Sequence, residues 1–373
     1  MRLRIDRRMT ARSSVLFLLL ASAHAQVSLE VRHDTLRILH ISDLHHHPNG
    51  ECHDSDAGTA CTPTNTTAFL RSAIALERPD LIIFMGDTVD SESAPLKGAM
   101  DVTYSLAAEA NTPFAAILGN HEDQLEMGRE EILRYVMGFG GSLTQLGPVA
   151  GSPGNYYIDL RTACSATTQR QQQQQQQVPL AEPCDDEPLA RLVFVDSRKE
   201  GVDQSVNDAQ LEWLRGLPRG VPTLAYHHIP DTGYIEAAGA VQPSDAPPRK
   251  GWRESIDADR PNPAVFPALR EVGTVAAFAG HDHTNDFCAA HEAVQLCYVG
   301  SAGYTAYGNC QPDKERCVRR RVRVVELGLR DSSSGSAPPR FETLRSWLRE
   351  ADGAGLASSR RVDDRELWHR PVR

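Results

Sequence analysis

The chain has 373 residues, 40% hydrophobic and 24% charged, enough apolar content for a sizeable core in one large domain or two small ones. Its 49 acidic residues outnumber 39 lysines and arginines, and the net charge of −10 argues against a nucleic acid duplex as partner. The 27 glycines and 23 prolines follow no triplet period, which excludes a collagenous rod and suits a loop-rich enzyme better than a coiled coil.

Five arginines, at 2, 4, 7, 8 and 12, precede the apolar stretch Val15 to Ala21, and Ala23-His24-Ala25 stands before Gln26. That is the layout of a secretory signal peptide spanning residues 1–25. Its removal would take away five arginines and one aspartate and move the net charge to −14. The stretch is short for a bilayer, and no later segment approaches eighteen uninterrupted apolar residues, so no stable membrane insertion is expected. Eight cysteines behind such a leader favour disulfides, and their spacing suggests the couples Cys52–Cys61, Cys164–Cys184, Cys288–Cys297 and Cys310–Cys317. No C-x-x-C spacing occurs, which speaks against a thiol redox site or zinc knuckle. Asn65-Thr66-Thr67 is a glycan acceptor pattern. Together these features predict a secreted protein, or one held in a secretory-pathway lumen or vacuole, whose oligomeric state stays open.

In chain order, Leu36 to Ile41 predicts a strand running into Ser42-Asp43-Leu44-His45, followed by a polar, cysteine-stapled loop over 46–64. A helix over 66–77 is stopped by Pro79, and the apolar run Leu81 to Met85 reads as a buried parallel strand ending in Gly86-Asp87. A helix over 100–110 leads to strand Phe114 to Leu118 and Gly119-Asn120-His121-Glu122, and another helix is expected over 125–137. The glutamine-rich segment near 165–183 reads as a disordered surface insertion. Strand Leu192 to Val195, helix 208–215, strand Thr223 to Tyr226 before His227-His228, and strand Val275 to Phe278 before Gly280-His281-Asp282-His283 continue an α/β rhythm. Arg316 to Leu327 alternates Val with Arg, as a late strand with one wet face would. Gly300 to Tyr304 reads as a flexible turn. Residues 26–328 are thus one domain, and 329–373 are expected to be a Ser/Gly/Pro-rich linker and polar tail with one short helix around Phe341 to Arg349.

The residues just after these strands are Asp43, His45, Asp87, Asn120, His121, His227, His281 and His283. Carboxylates, imidazoles and an amide without a thiolate suit borderline or hard metal ions. Asp43 and His45, two apart, can face one ion, and His281 and His283 repeat the spacing. Asp87 ends the most apolar strand and is the natural bridge between two cations about 3.5–4 Å apart, the separation of two-metal hydrolases. His46, His47 and His228 have ordinary structural explanations.

Five ordered blocks, Asp43-Leu44-His45, Gly86-Asp87-Thr88-Val89-Asp90, Gly119-Asn120-His121-Glu122, His227 and Gly280-His281-Asp282-His283, resemble the calcineurin-like metallophosphoesterase superfamily over roughly residues 36–300. The resemblance is to its branch related to purple acid phosphatases of fungi and plants. It implies a four-layer α-β-β-α sandwich of two mixed β-sheets flanked by helices, with a dinuclear centre at one end. It further implies that Asp43, His45, Asp87 and His283 hold one ion, and that Asp87, Asn120, His227 and His281 hold the other. Purple enzymes carry a tyrosine where this chain has Asp90 and lack the histidine found here as His45, so the metals could be iron with zinc, two irons, or manganese. The activity implied is hydrolysis of a phosphate monoester, from a small molecule or a phosphoprotein. His121 would protonate the leaving group, and Glu122 would assist by orienting an imidazole. A phosphodiesterase or nucleotide pyrophosphohydrolase would use the same ligands, and a metal-holding binding module is the non-enzymatic alternative. Tyr226, Trp252, Tyr304 and Tyr307 are candidates for the cleft wall.

Overall fold

The computed structural model describes residues 27–31, 34–47, 63–90, 96–122, 127–162, 187–197, 206–239, 254–257, 262–308, 319–330, 340–351 and 359–370. The expected leader, the glutamine-rich insertion, Trp252 and six of the eight cysteines lie outside them.

Leu81–Met85 is buried along its whole length and forms β3, flanked by parallel β2 (Thr35–Ile41) and β4 (Phe114–Ile117) once β1 (Ser28–Val31) is counted. A strand apolar on both sides needs cover on both faces. On one face, Leu39, Ile41, Ile82, Phe84 and Ala116 pack with residues of α1 (Pro63–Glu77), α2 (Leu96–Glu109) and α3 (Arg129–Met137), among them Phe69, Met100, Tyr104 and Leu133. On the other, Ile38, Ile83, Met85 and Ile117 meet a second sheet through Tyr156, Ile158, Leu192, Phe194, Leu224, Tyr226 and Phe278. That sheet's outer face, including Val193, Ala225 and Ala277, is covered by α4 (Asp208–Arg215), α5 (Thr232–Gly239) and α6 (Val265–Glu271). Three apolar interiors therefore separate four layers, helix, sheet, sheet, helix, as expected.

The second sheet adds β5 (Tyr156–Thr162), β6 (Ala190–Phe194), β7 (Thr223–Tyr226), β8 (Thr274–Ala279), β9 (Cys288–His291) and β10 (Val294–Tyr298), in the order β1-β5-β6-β7-β8-β10-β9. Cys288 and Cys297 face each other across the β9–β10 hairpin and are disulfide-bonded, as their spacing suggested. The first sheet runs β13-β12-β11-β2-β3-β4, where β11 is Arg321–Arg330, β12 Arg340–Ala351 and β13 Ser359–His369.

Two expectations about the C-terminal part fail. The segment expected to be a polar tail with a helix around 341–349 is instead the long antiparallel pair β12–β13, which completes the first sheet. Phe341, Leu344, Trp347 and Leu348 have helical spacing, but the pairing with β13 shifts register at Leu344/Arg345 and Ser346/Leu348, and these irregularities disguise the strand's alternation. Its charges are matched across strands and to α1: Arg345 to Asp364 at 2.6 Å, Arg360 to Glu350 at 2.7 Å, and Arg349 to Glu77. The wet face expected for β11 is also absent. The strand lies between β12 and β2, so Arg321 and Arg323 are buried. Arg323 spends its donors on the carbonyls of Tyr298 and Asp286 and on Ser346 Oγ, while Arg321 pairs with Asp286 and Glu350.

Candidate metal centre

Strands β2, β3, β4, β7 and β8 end on one rim of the sandwich, and the chain turns sharply after each. Asp43, His45, Asp87 and His281 all have left-handed φ, between 45° and 71°, conformations that cost energy in non-glycine residues and concentrate at functional sites. Gly86, at φ 92°, precedes Asp87, and a Cβ there would lie 2.6 Å from the Gly119 amide and 2.7 Å from His228. Only glycine lets these loops approach so closely. Backbone bonds stitch the first two loops together: Asp43 N to Gly86 O at 3.1 Å and His45 N to Asp87 O at 3.0 Å.

Among the described residues, three groups of donor atoms result, each within 4.8 Å: Asp43, His45 and His283; His45, Asp87 and His121; and Asp87, His228 and His281. His45 Nε2 and His283 Nε2 are 3.1 Å apart. Asn120 Oδ1 lies 3.2 Å from His228 Nε2 and 3.1 Å from His281 Nδ1, and Asp87 Oδ2 is 3.1 Å from His228 Nε2. Asp87 is shared between groups, as a bridge must be. Asp43, His45, Asp87, Asn120, His281 and His283 therefore come together on this rim.

His227 does not. Its Nδ1 contacts the Ile229 carbonyl at 2.8 Å, its Nε2 lies 3.8 Å from Asp231, and its ring packs edge-on to Tyr234 among the outer helices. The donor is His228, and alternation in β7 explains it: Leu224 and Tyr226 point between the sheets, Ala225 points outward, and His228 keeps the inward phase. Period-two counting from Leu224 was the available signal.

The electrostatics follow from burial and crowding. Burial pushes the Asp87 carboxyl up, but His228, His121 and His45 around it hold it well below the ordinary range. Burial opposes charge on His228, yet Asp87, Asp43 and Glu122 raise its pKa to about 10. Burial and then His283 hold His45 well below its ordinary value, and burial and then His228 lower His281 to about 4. Imidazoles, among them His45 and His281 held neutral, carboxylates and one amide oxygen, with no thiolate, fit two divalent or trivalent cations.

His121 is the most open of the imidazoles here, with 28% of its side chain exposed; its backbone amide donates to Asp87 Oδ1 at 2.9 Å and its ring stands edge-on to His45. Glu122 faces away from solvent: Oε2 accepts from Gly119 N at 2.8 Å and Oε1 from Thr88 N and Oγ1 at 2.8 and 3.0 Å. It ties the Asp87 loop to the Asn120 loop. Asp282 points away from the donors, accepting from Tyr298 Oη at 2.5 Å, and burial raises it to about 7. Among the aromatic candidates, Tyr226 is buried between the sheets, Tyr304 packs into the helix-covered core, and Tyr307 stacks on His283 at 3.8 Å while staying 43% exposed. The turn at 300–304 is anchored instead of flexible: Ser301 Oγ donates to Asp43 O and Ala302 N to Ser42 O, so it backs the Asp43 loop.

Residues 36–285 match the family described as calcineurin-like phosphoesterase. A protein of Arabidopsis thaliana named probable inactive purple acid phosphatase 14 is 29% identical over 95% of this chain and 91% of its own. Phosphatase DCR2 of Saccharomyces cerevisiae is 23% identical, covering 83% of this chain and 54% of that protein. Among solved structures, a dimetal phosphatase from Danio rerio superposes with a TM-score of 0.52 at 14% identity, over 90% of this chain and 99% of the other, a likeness of fold.

Proposed function

Because the chain belongs to the calcineurin-like phosphoesterase family, phosphoric ester hydrolases with a dinuclear metal site, we propose that it hydrolyses phosphate monoesters. The observation that carries the reading is the convergence of donors from four other strand ends around Asp87. Asp43, His45, His283 and Asp87 would hold one ion, and Asp87, Asn120, His228 and His281 the other. Bound there, the pair supplies an acidified water and a clamp on phosphoryl oxygens. Asn120 offers an oxygen without a further negative charge to oppose the phosphate. His121, open on one side and fixed by the hydrogen bond its backbone N–H donates to Asp87 Oδ1, delivers a proton from its ring to the departing ester oxygen. Glu122 acts by holding the Asp87 and Asn120 loops together.

The leader pattern and the Cys288–Cys297 disulfide support passage through the secretory pathway. Among the described residues, no helix is long and apolar enough to cross a membrane. A second reading, a metal-holding module without turnover, draws on the word inactive in the Arabidopsis relative's name.

The test is turnover of p-nitrophenyl phosphate and bis(p-nitrophenyl) phosphate by protein loaded with iron and zinc or with manganese, beside His121→Ala. Monoester turnover that falls in the variant supports the phosphatase; diester preference makes it a phosphodiesterase. Silence on both with two ions bound favours the module.

A further inference from the structure

The candidate centre straddles two sheets that are separate hydrogen-bonded units. Asn120 follows β4 of one, His228 follows β7 of the other, and the two must keep their 3.2 Å approach. Arg129, at the first turn of α3, spans that gap. Its Nη1 donates to Gly119 O at 2.8 Å and its Nη2 to Leu118 O at 3.3 Å, the two residues leading to Asn120. The same guanidinium pairs with Asp196, at 2.5 Å through Nη2 and 3.4 Å through Nε.

Asp196 lies just past β6 and is itself fixed. Its amide donates to Asn155 Oδ1 at 3.2 Å, Gly154 N donates to its Oδ2 at 3.3 Å, and its carbonyl accepts from Gln210 at 2.6 Å. The next residue, Ser197, accepts through Oγ from Ile229 N at 3.0 Å, immediately after His228. One end of the connection therefore grips the Asn120 loop and the other supports the His228 loop. The side chains of Arg129 and Asp196 are 10% and 1% exposed, so little solvent is available to replace a lost partner. A planar fork reaching two carbonyls and a carboxylate is a task lysine performs incompletely.

We infer that Arg129 is a positioning residue which, through Asp196, sets the geometry of Asn120 against His228 and so controls one of the two metal positions. The inference rests on the dinuclear reading above. The position formed by Asp43, His45 and His283 touches neither residue of the pair in these contacts, which makes the expected effect selective.

The experiment is titration calorimetry with Mn2+ alone, with electron paramagnetic resonance of the loaded protein, on wild type, Arg129→Met, Arg129→Lys, Asp196→Asn and the control His45→Ala. Wild type is expected to take two ions and show a spin-coupled pair. Arg129→Met and Asp196→Asn should keep one ion near wild-type affinity, weaken the other about 10–100-fold, and lose the coupled signal; Arg129→Lys should fall between. His45→Ala should weaken the complementary ion. Circular dichroism of the metal-free variants reports folding, and if Arg129→Met does not fold, the lysine variant decides. Equal weakening of both ions in folded protein, or of neither, overturns the inference. Wild type taking fewer than two ions overturns the dinuclear reading, and the inference with it.

Discussion

His45 and His283 bring their Nε2 atoms to within 3.1 Å of each other from different sheets, with Asp87 3.6 Å from the first and Asp43 3.5 Å from the second. Two imidazole nitrogens this close cannot both carry a proton without repulsion, and a shared cation removes the conflict. Stripping the protein with a chelator should therefore lower its melting temperature, and restoring metal should raise it again. At a free metal concentration 100 times Kd, the stabilisation is about 2.7 kcal/mol per site. A melting temperature indifferent to chelation, with metal loss verified by elemental analysis, would sink the expectation.

The adjacent histidines at 227 and 228 give a sharper contrast. His228→Ala removes an inward donor shared with Asp87 and Asn120 and should reduce turnover at least about 100-fold, with loss of one ion. His227→Ala removes a ring held by the Ile229 carbonyl and packed on Tyr234, so it should cost stability and leave two ions bound. Metal content per chain separates the two; the reverse result would restore His227 as the ligand.

That pair also marks how far the sequence could be read. Apolar runs such as Leu81–Met85 lie between parallel neighbours with both faces covered, so their composition alone marked them as strands, and the polar residues after them located the site. The choice between His227 and His228 depended on strand phase, one residue's difference on a four-residue strand. The β12–β13 pair was hidden because register shifts gave its buried residues helical spacing. The arginines of β11 were misread because their burial depends on the strand lying mid-sheet, a fact of topology that no local pattern carries. Arg129 had no motif signal: its partner is 67 residues away on the other sheet.

Glu122→Gln tests whether that side chain acts as a clamp. The carboxylate receives three bonds, from Gly119 N, Thr88 N and Thr88 Oγ1, and an amide presents only one acceptor oxygen to them. At least one buried donor is left facing an NH2 group, a cost of about 1–3 kcal/mol in stability. The loosened Asp87 and Asn120 loops should lower turnover about 10–100-fold and weaken metal binding in parallel. If turnover falls while metal affinity and stability hold, Glu122 takes part in the chemistry directly.

His40 makes stability depend on pH away from the rim. It lies between the sheets, stacked on Phe278 at 4.8 Å and tilted against Tyr226 at 5.4 Å, and burial, followed by the Arg323 guanidinium from β11, lowers its pKa to about 3 from 6.5. Between those values the unfolded chain takes up a proton that the folded chain refuses. Its contribution is therefore complete above pH 6.5 and is lost as pH falls toward 3, at about 1.4 kcal/mol per pH unit. His46, lowered to about 4 mainly by burial, adds to the slope in the same direction, so the wild-type profile alone does not isolate His40. The difference from His40→Phe does, because phenylalanine keeps the stack on Phe278 and Tyr226 and cannot titrate. Urea unfolding at pH 7, 6 and 5 should show wild type losing more stability per unit than the variant, so that the variant gains on wild type as pH falls; parallel profiles would mean that His40 is protonated alike in both states.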